Sequence, residues 1–276
     1  MSDGRAKTEY DERPIGVFDS GFGGASTLRS ILRELPGESF IYYGDNKNAP
    51  YGDRPEEEIL ELSEHAAEFL LKKGVKALVV ACNTATSASI NALRRKLDVP
   101  VVSVEPAIKP ACERPGEGKV LMLATVATTR LTRYRALQQR MPDPNRVVNI
   151  GCSGLVELIE RGITEGAELE AVLEERLSPF FGIKADGIVL GCTHFPFAAP
   201  AIRRFALKHF EGECLLYDGN AGTARQLKRV VQRYGIEAEP KCGEPAPRVT
   251  FLTSGDPAFC EPIFRRLLEI PIYEWI

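Results

Sequence analysis

Two segments of the sequence end in a cysteine in the same way: Ala77-Leu78-Val79-Val80-Ala81-Cys82-Asn83-Thr84 and Gly187-Ile188-Val189-Leu190-Gly191-Cys192-Thr193-His194. Each is an apolar run, a small residue, a cysteine and a polar pair containing threonine. A thiol, with a reference pKa of about 8.5, can give or take a proton near neutrality once its surroundings tune it. Two thiols on opposite faces of one carbon could remove a proton from one side and return one to the other. A single fixed base cannot do that. The plain alternative is that both are small core residues at strand ends. The mirrored segments and the polar residues after each cysteine argue for the chemical reading. A hydrolase with Cys82 as nucleophile is a further alternative, but it leaves the Cys192 segment with no reason to mirror the first.

Such thiols must be carried to one place by the elements around them. The segments lie 110 positions apart (192 − 82), and a repeat at that period suggests two similar halves. β-Branched runs alternate with helical patterns, which predicts an α/β fold of two pseudo-symmetric domains with largely parallel sheets. Strands are expected at 15–18, 39–43, 77–81 and 101–104, then at 120–123, 146–150 and 187–190. A late strand at 248–253 and a helix at 257–268 complete the pattern. Ligands of open α/β sheets bind beyond the carboxyl ends of the strands, where both cysteines fall, so the active site is expected in the cleft between the halves. Helices beginning near Thr84 and near Pro200 would favour thiolate at both cysteines through their dipoles. The expected division is a polar tail at 1–14, a first domain of 15–105 plus 214–276, and a second of 106–213. Residues 218–222 read as a crossover between them.

After the first strand comes Phe18-Asp19-Ser20-Gly21-Phe22-Gly23-Gly24. Its glycines let the backbone pass close to a ligand and turn amides toward an anion. A mere tight turn or a nucleotide-phosphate loop are the alternatives, the latter disfavoured because the spacing Gly-x-Gly-x-x-Gly is absent. Asp19 itself could be only a helix cap. Of three histidines, only His194 neighbours a candidate cysteine; His65 and His209 fall among polar residues in helical patterns and are expected at the surface.

Composition narrows the field. The 276 residues are 44% hydrophobic and 26% charged, ordinary for a globular protein, with a net charge of −3. Without a dense Lys/Arg run, nucleic acid is not an expected partner. No apolar stretch reaches the roughly 20 residues of a membrane span, and the polar first thirteen residues, read as a disordered tail, lack a signal segment. The cytoplasm is the expected location. Seven cysteines at wide spacings, with no Cys-x-x-Cys pair, argue against a disulfide framework and a structural zinc site. No lysine stands in a recognisable cofactor-phosphate context, so neither an organic cofactor nor a metal is expected. No motif gives the oligomeric state, and a homodimer is left open.

Four motifs in order, the Asp19 loop, Pro50-Tyr51-Gly52, Ala81-Cys82-Asn83-Thr84-Ala85 and Gly191-Cys192-Thr193-His194-Phe195-Pro196, resemble the glutamate racemase family from about Ile15 onward. The resemblance implies a PLP-independent enzyme acting on glutamate and supplying D-glutamate for bacterial peptidoglycan. Cys82 would take the proton from one enantiomer and Cys192 from the other, supported by Asp19 and His194 respectively. Glu160 resembles the glutamate that partners this histidine. Ser20, Tyr51, Gly52, Asn83, Thr84 and Thr193 match positions that hold the substrate, along with Asp19 and His194. The sequence departs from the family pattern at Ser153, Leu131 and Pro55, which bears on Thr125, Thr128 and the placing of Glu160. Aspartate or hydantoin racemases share the plan, and a racemase scaffold with an added macromolecule-binding role is the rival from another class.

Overall fold

The computed structural model describes residues 10–239 and 248–270. Strands and helices alternate along the chain. First come β1 (Ile15–Asp19), α1 (Ala25–Glu34), β2 (Phe40–Gly44), α2 (Glu56–Lys72), β3 (Ala77–Val80), α3 (Asn83–Lys96) and β4 (Val101–Ser103). Then follow α4 (Ile108–Glu113), β5 (Lys119–Ala124), α5 (Val126–Arg130), α6 (Thr132–Gln139), β6 (Val147–Gly151), α7 (Leu155–Glu160), α8 (Ala167–Leu177), β7 (Ala185–Leu190), α9 (Ala199–His209) and β8 (Leu215–Tyr217). The last elements are α10 (Asn220–Tyr234), β9 (Val249–Thr253) and α11 (Pro257–Glu269).

The strands form two wholly parallel sheets, β4-β3-β1-β2-β9 and β6-β5-β7-β8. Reading the second from its other edge gives β8-β7-β5-β6, the same order as β4-β3-β1-β2. The mirrored cysteine segments therefore occupy equivalent strands, β3 and β7. Helices cover both faces of a parallel sheet, so its central strands are near-continuous apolar runs. β3 is buried at every residue and β5 at all but its first. These are two parallel-sheet α/β domains.

Three expectations change. β8 pairs with β7, so the second sheet extends to Tyr217, past the boundary expected at 213. Apolar Leu216 and Tyr217 are buried there. Residues 10–14 are fastened rather than loose: the buried Lys76 ammonium pairs with Glu38 at 2.6 Å and donates to the Asp11 carbonyl at 2.6 Å. A buried charge needs such partners. The rest of the expected tail, 1–9, and Cys242 lie outside the described residues. Finally, His209 is only half exposed, its ring stacked on Phe181 at 4.2 Å.

β9 returns to the first sheet beside β2. The chain thus crosses between sheets twice, before α4 and before α10. The two crossovers touch at Gly219, where a Cβ would lie 2.3 Å from the Glu105 carbonyl oxygen. No larger residue fits between them.

Candidate active site

Cys82 is the second residue beyond β3 and the N-cap of α3, its Sγ accepting from the Ala85 amide at 3.4 Å. Ser20 Oγ lies 3.5 Å from the same sulfur. The expected thiolate-favouring effect of the helix does not prevail here. Burial first, and then the nearby charge of Asp19, push the Cys82 thiol up to about 12. The Cys82 thiol therefore stays protonated at neutral pH.

Asp19 ends β1 and is fully buried. It caps no helix: Gly24 stands at the N-cap of α1. Instead Oδ1 accepts from the Gly21 amide at 2.8 Å and Oδ2 from Thr193 Oγ1 at 3.1 Å. Burial raises its pKa, against the opposing influence of His194, the Gly21 and Gly24 amides and Thr193. The amides of the glycine loop thus turn onto a carboxylate of the chain itself.

Cys192 is the second residue beyond β7, with His194 Nδ1 at 3.8 Å from its Sγ. His194 Nε2 lies 2.9 Å from Glu160 Oε1, at the end of α7. Burial works against charge on this ring, but the hydrogen bonds to Cys192 and Glu160 outweigh it and raise its pKa well above the ordinary value. α9 begins only at Ala199, after a single 3-10 turn, so the positive neighbour of Cys192 is this histidine rather than a helix dipole. Because the folded pKa is raised, the stability His194 contributes is complete below the unfolded value of about 6.5. It is lost as pH rises through the folded value. In NMR titrations His194 should deprotonate well above the ordinary histidine range, and Glu160→Gln should move its midpoint down. A His194 midpoint in the ordinary range would contradict the pairing.

The two motifs are in direct contact. Thr193 donates to Asp19, and Ser26 Oγ donates to the Thr193 carbonyl at 2.7 Å. The charge of Cys192 is one of those felt at Cys82. Gly23 makes this approach possible, since a Cβ there would lie 2.4 Å from both His194 Nδ1 and Thr193 Oγ1. Nearby, Thr84 Oγ1 meets Thr125 and Thr128 of the second domain at 3.0 and 3.1 Å. Gly52 lies against the Thr125 side chain. Asn83 Oδ1 is buried with no hydrogen-bond partner among the described residues, an acceptor open to a ligand.

The Tyr51 ring packs in the same apolar cluster as Cys82, and its hydroxyl donates to the buried Asp45 carboxylate at 2.6 Å. Among the family departures, Ser153 and Pro55 are exposed and Leu131 is buried at the start of α6. Glu160, Thr125 and Thr128 are nonetheless in hydrogen-bonding reach of the motifs. Tyr42 and Asp45 were not anticipated, because a tyrosine in a buried strand and an aspartate in a polar loop carry no signal of their own. Among the described residues no group of three or more His, Cys, Asp or Glu is arranged to hold a metal. No helix among them is long and apolar enough to cross a membrane.

The Asp/Glu/hydantoin racemase family model matches residues 15–227. A glutamate racemase of Clostridium kluyveri is 48% identical over 232 residues, covering 83% of this chain and 88% of its own. The structure of the Francisella tularensis glutamate racemase with D-glutamate superposes with a TM-score of 0.79 at 29% identity, covering 94% of each chain. That of the Bacillus anthracis isoform RacE1 gives 0.79 at 31% identity, covering 95% of this chain and 96% of the other. With two cysteine motifs on equivalent strands and this match through most of its length, the chain belongs to the Asp/Glu/hydantoin racemase family.

Proposed function

We propose that the protein is a cofactor-independent glutamate racemase that interconverts L- and D-glutamate through two thiols and supplies D-glutamate for peptidoglycan. The observation that carries this reading is the meeting of two unlike proton-transfer groups, Cys82 with Asp19 and Ser20, and Cys192 with His194 and Glu160. In one direction Cys192 removes the Cα proton while Cys82, held as a thiol, gives its proton to the opposite face. In the other direction Cys82 must first lose its proton, and Asp19, whose own pKa is raised by burial, is the adjacent carboxylate. Asn83, Thr84 and Thr193 are polar groups around the thiols suited to the substrate's amine and carboxylates. Tyr51 and Gly52 shape the wall through their ring and backbone.

A hydrolase built on Cys82 fits less well, because the histidine stands beside Cys192. We also divide the described residues into one domain of 15–105 with 218–239 and 248–270, and another of 106–217, moving the later boundary to follow β8. The cytoplasm is the proposed location, where cell-wall precursors are made.

Chiral analysis of L-glutamate incubated with the pure protein tests the activity. In deuterium oxide the inverted product should carry deuterium at Cα, because the returning proton comes from a solvent-exchanged thiol. Aspartate should turn over at least roughly 100-fold more slowly, since a substrate shorter by one methylene cannot seat both its distal carboxylate and its α-carbon. Comparable kcat/KM for the two would remove the specificity and leave the two-thiol reading standing.

A further inference from the structure

Gly21 sits at the centre of the first proton-transfer group, and nothing intrinsic fixes its conformation. Its amide grips Asp19 Oδ1 at 2.8 Å. A glycine lacks the Cβ that would restrict its backbone, so the aim of that amide must be set from outside. Tyr42 supplies the restraint: its hydroxyl donates to the Gly21 carbonyl at 2.8 Å. The amide and the carbonyl of one glycine are thereby held by Asp19 and Tyr42. The Gly24 amide also hydrogen-bonds to both Tyr42 and Asp19, and a Cβ on Gly24 would be 3.0 Å from Tyr42 Oη and 2.7 Å from Asp19 Cβ.

Building on the racemase reading, we propose that Tyr42 is a positioning residue for proton transfer at Cys82, acting by fixing the peptide that follows Gly21 and with it the backbone from which the Gly21 amide holds Asp19. Its ring is fully buried and held from the far side by Phe264 at 4.4 Å and Phe251 at 6.0 Å. Those rings belong to α11 and β9, so the last part of the chain reaches the site through this stack. Burial foremost, with the charges of Asp19, Cys82 and Glu160, keeps the phenol protonated, and therefore a donor at every working pH.

The test is Tyr42→Phe, which keeps the ring stack and removes only the hydroxyl. kcat should fall on the order of 10-fold with KM nearly unchanged, because the interaction lost is with a group that moves the proton. The distinguishing readout is isotopic. When Cys82 abstracts from α-deuterated glutamate, the substrate isotope effect should rise; when Cys192 abstracts, it should fall, while the solvent isotope effect rises. Such opposite movement marks one slowed transfer, which a general loss of packing would not produce. Isotope effects unchanged in both directions, or altered alike, would overturn the proposal. Should Tyr42→Phe not fold, Phe251→Leu, which leaves the hydroxyl but loosens its ring, should give the same pattern at smaller size. Its absence there would be equally decisive. Wild-type protein that does not racemise glutamate sinks the racemase reading itself; an active wild type with no shift in the variants sinks only this inference.

Discussion

Racemisation by Cys82→Ser and by Cys192→Ser is expected to fall by about 100- to 10,000-fold, the range typical of a lost general acid or base. A serine hydroxyl is close in size to the thiol but far harder to ionise, so geometry is kept and proton transfer is lost. The two variants should differ in what remains. Each retains one thiol on one face of Cα, so any residual exchange of the α-proton with deuterium oxide should be confined to one enantiomer, and to opposite enantiomers in the two variants. Their surroundings make the asymmetry concrete. Cys82 is a buried thiol pushed up to about 12 and lies in the field of Asp19. Cys192 faces a histidine that stays charged well above its ordinary range. Either single variant racemising at near wild-type rate would remove the two-base mechanism.

Gly23→Ala should cost on the order of 100-fold in kcat/KM, the loss expected when reacting groups are displaced by about 1 Å. A methyl at this position would lie 2.4 Å from His194 Nδ1 and 2.4 Å from Thr193 Oγ1. Neither neighbour is free to swing away, since Thr193 is bonded to Asp19 and His194 to Glu160. The two motifs would therefore be forced apart, and both proton-transfer groups disturbed together. Overpacking of this kind also destabilises by about 1–3 kcal/mol, which a melting curve would register. Gly37→Ala is the matched control: a Cβ there has nothing within 4 Å, and activity should be retained. Equal activity in the two variants would show that contact between the motifs is not needed for turnover.

The alternation of strands and helices was legible along the chain because buried parallel strands read as short apolar runs, as in Ala77–Val80 and Ala185–Leu190. The mirrored cysteines were legible for a related reason. Both follow the third strand of a repeated four-strand order, and a repeated order leaves a repeated pattern. Less visible was β8, only three residues long, which adds a strand to the second sheet beyond residue 213. The balance of charge at Cys82 was misjudged as well: the helix N-terminus is present, but its effect is smaller than that of burial beside Asp19.

By itself, the sequence determined which groups could do the chemistry: two thiols, an aspartate, a histidine and a glycine loop, each at the end of a strand. The tertiary structure alone decided which of them touch. Asp19 bonds across 174 positions to Thr193, Thr84 across 41 to Thr125, and His194 across 34 to Glu160. The reason is that strand ends are written in local periodicity, whereas contacts between strand ends depend on how two sheets pack. The protonation of Cys82 follows from those contacts and from burial, neither of which a linear pattern contains.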